Sequence, residues 1–248
     1  MAGGIFDPEF DQLPMRIPIF PLPSALLLPG GQLPLNIFEP RYLAMVRHAL
    51  ATPTRLIGMV QPLDHHAGGD IANDNIANDD GANDDGANDD GANDDGADAA
   101  GLFETGCAGR LSFFQESDDG RFVIALNGVC RFHRLRQELD PNGFLVADVD
   151  WQPFANDLRI DVSALDRDPL IKVMKRYFDM KGFETDWTQI ENSDNHQLLA
   201  TLSMICPFEV AEKQALLEAD SMAKRADLLI AMMEMALHDE TGGNDARH

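Results

Sequence analysis

The chain has 248 residues, 44% of them hydrophobic, enough for one large domain or two modest ones with a proper core. Its formal charge is -23, and residues 64 to 100 hold twelve aspartates without a Lys or Arg, leaving 30 acids against 19 bases, or -11, elsewhere. Such a surface has no cationic stripe to displace counterions from phosphate, which argues against non-specific nucleic-acid binding and against anionic membranes.

Residues 1–15 read as a flexible lead-in. From Ile17 to Tyr42 the sequence IPIFPLPSALLLPGGQLPLNIFEPRY cuts its apolar runs with prolines and a Pro-Gly-Gly turn. Prolines at such short intervals exclude a long helix and predict brief strands. Pro40 suits a first helical position, and Tyr42, Met45, Val46, Ala49 and Leu50 fall on one apolar face, with Arg41, Arg47 and His48 opposite. Arg55 to Val60 reads as a buried strand ended by Gln61-Pro62.

Residues 71 to 100 are a run of pentapeptides, IANDN, IANDD, GANDD three times and GADAA. Like-charge repulsion and the lack of large apolar side chains predict a disordered insert over 64–100. A pentapeptide solenoid needs a bulky apolar centre in each repeat, and a calcium loop needs a terminal bidentate Glu; neither is present. The insert falls between two strands, where a long surface loop costs little closure entropy.

Leu102 to Trp151 is the clearest β region. Leu111 and Phe113, then Phe122, Ile124 and Leu126, alternate about an Asp118-Asp119-Gly120 turn as a hairpin with one buried face would. A second turn, Asp140-Pro141-Asn142-Gly143, separates Val129–Leu139 from Phe144–Trp151. The β-rich unit is placed at residues 16–160.

From residue 163 the period becomes helical, and a helical unit is placed at 161–239. Asp168-Pro169 reads as an N-cap and helix start, with Leu170, Val173, Met174, Tyr177 and Phe178 on the apolar face and Gly182 as the stop. Further helices are predicted over Asn195–Ile205, Glu209–Glu218 and Ser221–His238. The last carries a polar stripe through Lys224, Asp227, Glu234 and His238. Residues 240–248 read as a flexible end.

Cys107, Cys130 and Cys206 are too widely spaced for a disulfide framework or a metal site, and fit a reducing compartment. No basic n-region followed by a long apolar run opens the chain, and Leu228–Leu237, broken by Glu234, is too short to span a bilayer. A cytoplasmic protein without membrane contact is expected. Cys107 with His133, or Ser193 with His196, could supply a nucleophile and a base, but neither sits in a nucleophile motif. No catalytic residue, metal or cofactor is assigned.

Three stretches carry a resemblance: IPIFPLP with LPLNIFEPRY, GCAGR (106–110) with GVCRF (128–132), and LSMICPFEVAEKQALLEAD (202–220). Together, over roughly Arg16 to His238 without the insert, they resemble the Lon N-terminal domain family, which also occurs as stand-alone proteins. The resemblance implies an α+β fold: an N-terminal PUA-like β pseudo-barrel with a short helix, then a C-terminal helical bundle. It implies a recognition module for unfolded or degron-bearing client proteins, an adaptor in proteolysis working with a protease or chaperone in trans. No G-x-x-x-x-G-K-[ST] motif and no Ser-Lys proteolytic domain accompany it, so the chain is not expected to cut peptide bonds.

Candidate binding residues are Phe38, Glu39, Arg41 and Tyr42 of the FEPRY motif, with Arg110 and Arg131 on the strands. Each has a structural reading beside the functional one: Glu39 and Arg41 can pair locally at a helix start, Tyr42 can pack inward, and both strand arginines can meet carboxylates of the body. Two other functions remain open from sequence, an RNA-binding PUA-like module and an enzyme for a small ligand in the barrel mouth.

Overall fold

The computed structural model of the protein describes residues 7–63, 101–159 and 165–245. Strands β1 (Arg16–Pro21), β2 (Gln32–Ile37), β3 (Leu56–Val60), β4 (Thr105–Glu116), β5 (Phe122–Leu139) and β6 (Leu145–Asp150) make one sheet in the order β2-β5-β4-β3-β1-β6. The ladder then returns to β5, because this 18-residue strand pairs with β2 through Phe122–Asn127 and with β6 through His133–Leu139. A pseudo-barrel results. The prolines sit where they cost least: Pro34 is on β2, which pairs on one side alone, and Pro18 precedes the parallel β1–β3 pairing that begins at Ile19.

One hairpin detail departs from the predicted alternation. The register shifts between Leu111 and Phe113, so Phe113 stands 48% exposed while Phe114 packs edge-on against Phe122 at 4.9 Å. A bulge inserts one residue and breaks the alternation, and Phe114 is itself 39% exposed despite its contact with Phe122.

Helix α1 (Pro40–Leu50) buries Tyr42, Met45, Val46 and Ala49 against one side of the sheet. The other helices, α2 (Asp168–Lys181), α3 (Trp187–Asn192), α4 (Asn195–Ile205), α5 (Val210–Glu218) and α6 (Met222–Asp245), follow the barrel. Helix α2 begins one residue earlier than expected, at Asp168 itself: Arg167 is the N-cap, and the Asp166 carboxylate takes the Asp168 amide at 3.1 Å. Its end is as the sequence reads, with Gly182 in the left-handed region at φ 69°. The short α3 was not expected, although Asp186 caps it by accepting from Thr188 and Gln189.

Three apolar clusters hold the chain together. Two lie in the β region, one gathering α1 and the Leu22–Leu28 segment, the other built around Phe132 and Trp151. The third belongs to α2, α4, α5 and α6. Ala200 and Leu217, from α4 and α5, enter the first cluster, so the helices dock on the barrel through apolar contact.

Both chain ends differ from expectation. Over residues 7–15 the supposedly flexible lead-in is held, because Leu13 is buried and the Pro14 carbonyl accepts from Trp151 Nε1 at 2.9 Å. At the other end α6 runs on to Asp245, there being no proline to stop it. The expected disorder of 64–100 lies outside the described residues.

Candidate functional site

The barrel and the helices meet along a polar seam that begins at Arg131 on β5. This side chain is only 8% exposed, and its Nε and Nη2 donate to the two oxygens of Asp157 at 2.8 and 2.7 Å. Nη1 donates to the carbonyls of Leu217 and Ala219 at 2.9 and 2.8 Å, at the C-terminal end of α5. One strand side chain thereby joins the barrel, the 3-10 turn Gln152–Leu158 and the helices. Burial works against its charge, yet the Asp157 hydrogen bond and carboxylate outweigh that and hold the guanidinium above its ordinary range.

Arg225 of α6 lies close behind, 5% exposed. Its Nε donates to Leu216 O at 2.9 Å and its Nη2 to Ala219 O at 3.5 Å. It forms no ion pair among the described residues. Burial, with the Arg131 charge alongside, pushes Arg225 down to about 10.

Contacts from two glutamines and a lysine extend the seam. Gln61 Nε2 donates to Gln214 Oε1 at 3.0 Å, Gln214 Nε2 to the Thr105 carbonyl at 3.1 Å, and Lys213 Nζ to the Ser24 carbonyl at 2.7 Å. Burial lowers Lys213 from its ordinary value. A buried polar group costs free energy unless bonded, so each of these contacts also fixes orientation.

Two adjoining cavities open at this seam. The larger, about 540 Å³, lies between residues 7–10, the Pro29-Gly30 turn, Val129 and Leu158. The smaller, about 340 Å³, has Arg131, Arg225, Arg159 and residues 219–222 in its walls. They share Pro29, Asp157, Arg159 and His196, and so form a single cleft between barrel and helices. A third hollow of about 670 Å³ lies elsewhere, between residues 7–18 and the end of α1, and has neither buried arginine in its wall.

The sequence-predicted residues divide into two places. Glu39 and Arg41 pair at 3.0 Å, the Arg41 guanidinium lies 4.9 Å from the Tyr42 ring, and Tyr42 packs on Phe20 at 4.2 Å. Together with Phe38, 37% exposed, they make the corner from β2 into α1. Arg131 stands at the seam instead, and Arg110 is linked to the larger cavity through Asp7, which lines it and pairs with Arg110 at 2.7 Å.

Sequence reasoning missed Asp157 and Arg225, and read the Pro29-Gly30-Gly31 turn without assigning it to the site. The readable sign for Arg225 was its place on α6 outside the stripe of Lys224, Asp227, Glu234 and His238. Asp157 gave no sign, because the irregular turn that carries it has no apolar period.

Of the nucleophile and base pairs considered, Cys107 is fully buried, and burial pushes its thiol well above its ordinary value. A thiol in that state supplies no thiolate at neutral pH. Ser193 is a helix-end residue whose hydroxyl donates to Ile190 O at 2.7 Å. Among the described residues no group of three or more His, Cys, Asp or Glu side chains could hold a metal, and no helix is long and apolar enough to cross a membrane.

Residues 16–235 match the family described as the ATP-dependent protease La (LON) substrate-binding domain. Among solved structures, the chain is similar to the Lon N-terminal domain protein from Xanthomonas campestris, at 22% identity over 87% of this chain and 97% of that one, TM-score 0.52. It is also similar to the N-terminal domain of Mycobacterium avium complex Lon protease, at 15% identity over 88% and 98% of the two chains, TM-score 0.56. At these identities the likeness is one of fold.

Proposed function

This chain belongs to the Lon substrate-binding domain family, and on that premise we propose that it recognises extended segments of client polypeptides in the cleft between barrel and helices. The carrying observation is the cleft itself, where two cavities of about 540 and 340 Å³ share four residues and lie against both halves of the molecule. A groove of that form takes an extended chain better than a compact ligand, and the prolines and Val129 in its wall offer apolar contact to side chains. The module works in the cytoplasm as an adaptor, without catalysis of its own, and hands clients to a protease or chaperone in trans. Three buried free cysteines and the acidic body support that setting, and the same charge disfavours nucleic acid and membranes as partners. The exposed Phe38 and the Arg41 corner form a secondary contact for the same client.

The test is site-specific photocrosslinking. Benzoylphenylalanine placed at Leu158, in the cleft, should capture unfolded casein, whereas the same group at Asp179, exposed on α2 and lining neither cavity, should not. Equal capture at both positions, or none at Leu158 in a folded sample, overturns the proposal.

A further inference from the structure

The smaller cavity carries a charge arrangement that recognition of apolar segments does not require. Arg131 is fully engaged, with Asp157 and two carbonyls taking its donors. Arg225 is not: it is 5% exposed, lies in the cavity wall, and spends its bonds on two carbonyls. Its Nη1 makes no hydrogen bond among the described residues, and no carboxylate forms an ion pair with it. Arg159, exposed in the same wall, likewise has no side-chain partner among the described residues.

The acids present offset these charges only in part, Asp157 acting on Arg225 through space without forming an ion pair with it. Asp157 is committed to Arg131, and Asp220 is exposed with Lys224 at 3.8 Å. Residues 219–222, which line the cavity, lead into the 24-residue α6, and a helix N-terminus adds partial positive charge where an anion would sit. A desolvated cation without a counter-charge is costly to keep, and an oxyanion in the cavity removes that cost. Burial and the Arg131 charge already depress Arg225 to about 10, as an unpaired cation should be.

The neighbouring groove decides which oxyanion fits. It shares Pro29, Asp157, Arg159 and His196 with the charged cavity, and Pro8, Phe10 and Leu158 line it beside the carboxylates of Asp7 and Glu9. A cationic pocket opening into a groove of mixed apolar and acidic wall matches the end of a polypeptide, a carboxylate followed by side chains. We propose that the cleft captures the free C-terminus of a client, its carboxylate held by Arg225 and Arg159 at the start of α6 and its last side chains in the larger groove. This rests on the reading of the chain as a polypeptide-recognition module and narrows it to one class of segment.

Two fluorescein-labelled decapeptides of Ser, Gly and Ala ending in Leu-Phe, one with a free carboxylate and one amidated, test this by fluorescence anisotropy on the unmodified protein. The free acid should bind about tenfold or more tightly than the amide, as expected for hydrogen bonds to a charged group. Arg225→Gln, and independently the surface change Arg159→Gln, should shrink that ratio, with circular dichroism confirming the fold of each. Equal binding of acid and amide, or a ratio unchanged in both variants, overturns C-terminal capture. If neither peptide binds while Leu158 still crosslinks casein, capture is likewise overturned and segment recognition stands. Loss of the casein crosslink strikes the underlying reading instead.

Discussion

Removing Arg131 strands Asp157 and uncaps the carbonyls of Leu217 and Ala219 at once. Breaking a buried ion pair from one side costs about 3–5 kcal/mol, so Arg131→Ala should lose that much in urea denaturation. Adding Asp157→Ala should then cost less than the two single changes summed, because they share one interaction. The cysteines give a second reading at this scale. Burial pushes Cys130 and Cys206 up to about 12 from an ordinary 9.0. A thiol reagent at neutral pH should therefore leave the native protein almost unlabelled and label all three cysteines once it is unfolded. Between about pH 9 and 12 the folded chain keeps thiol protons that the unfolded chain has released, so this stabilisation is complete below about pH 9 and fades as pH rises. Replacing Cys130 and Cys206 with Ala should flatten that fall by up to about 1.4 kcal/mol per pH unit for each thiol, while the depressed Lys213 and Arg225 pull the other way in both proteins.

At the scale of elements, β5 is pinned to the Leu28–Gly31 segment by hydrogen bonds from Gly30 N to Gly128 O at 2.9 Å and from Gly128 N to Gly31 O at 2.8 Å. A Cβ at Gly128 would stand 2.0 Å from the Leu28 carbonyl oxygen, which is backbone and cannot swing aside. Gly128→Ala should cost about 3 kcal/mol or more and lower Tm by roughly 6–12 °C. Gly120→Ala, at φ 83° in the open hairpin turn, should cost only about 1 kcal/mol. Leu63 N donates to Gly101 O at 2.7 Å, so the chain ends flanking residues 64–100 are already tied together. Replacing that insert with Asn-Gly should leave Tm unchanged or raise it a few degrees, since a shorter loop costs less closure entropy.

Much of this element layer was legible in the sequence. The apolar faces of α1 and α2, Gly182 as a helix stop and both hairpin turns follow from period and turn chemistry, which act locally. The bulge after Leu111, the hold on residues 7–15 and the turn bearing Asp157 did not, because each depends on partners far away in sequence. The site followed the same rule. Arg110 and Arg131 stood out as strand arginines, but that Arg131 reaches across to the end of α5 while Arg225 goes without a counter-charge could be seen only once helices and barrel were docked.

For the whole molecule, the docking explains how a barrel and a helical pack hold a common cleft. The apolar contacts of Ala200 and Leu217 bring the halves together, and the seam from Arg131 to Lys213 sets their orientation. A client in the cleft would touch both halves, so its binding should slow exchange in each. Amide hydrogen exchange with and without saturating unfolded casein measures this directly. Binding in the cleft should concentrate protection at Pro29–Gly31, residues 155–159 and residues 219–222; protection confined to the outer faces of α2 and α3, or none at saturation, rules that binding mode out.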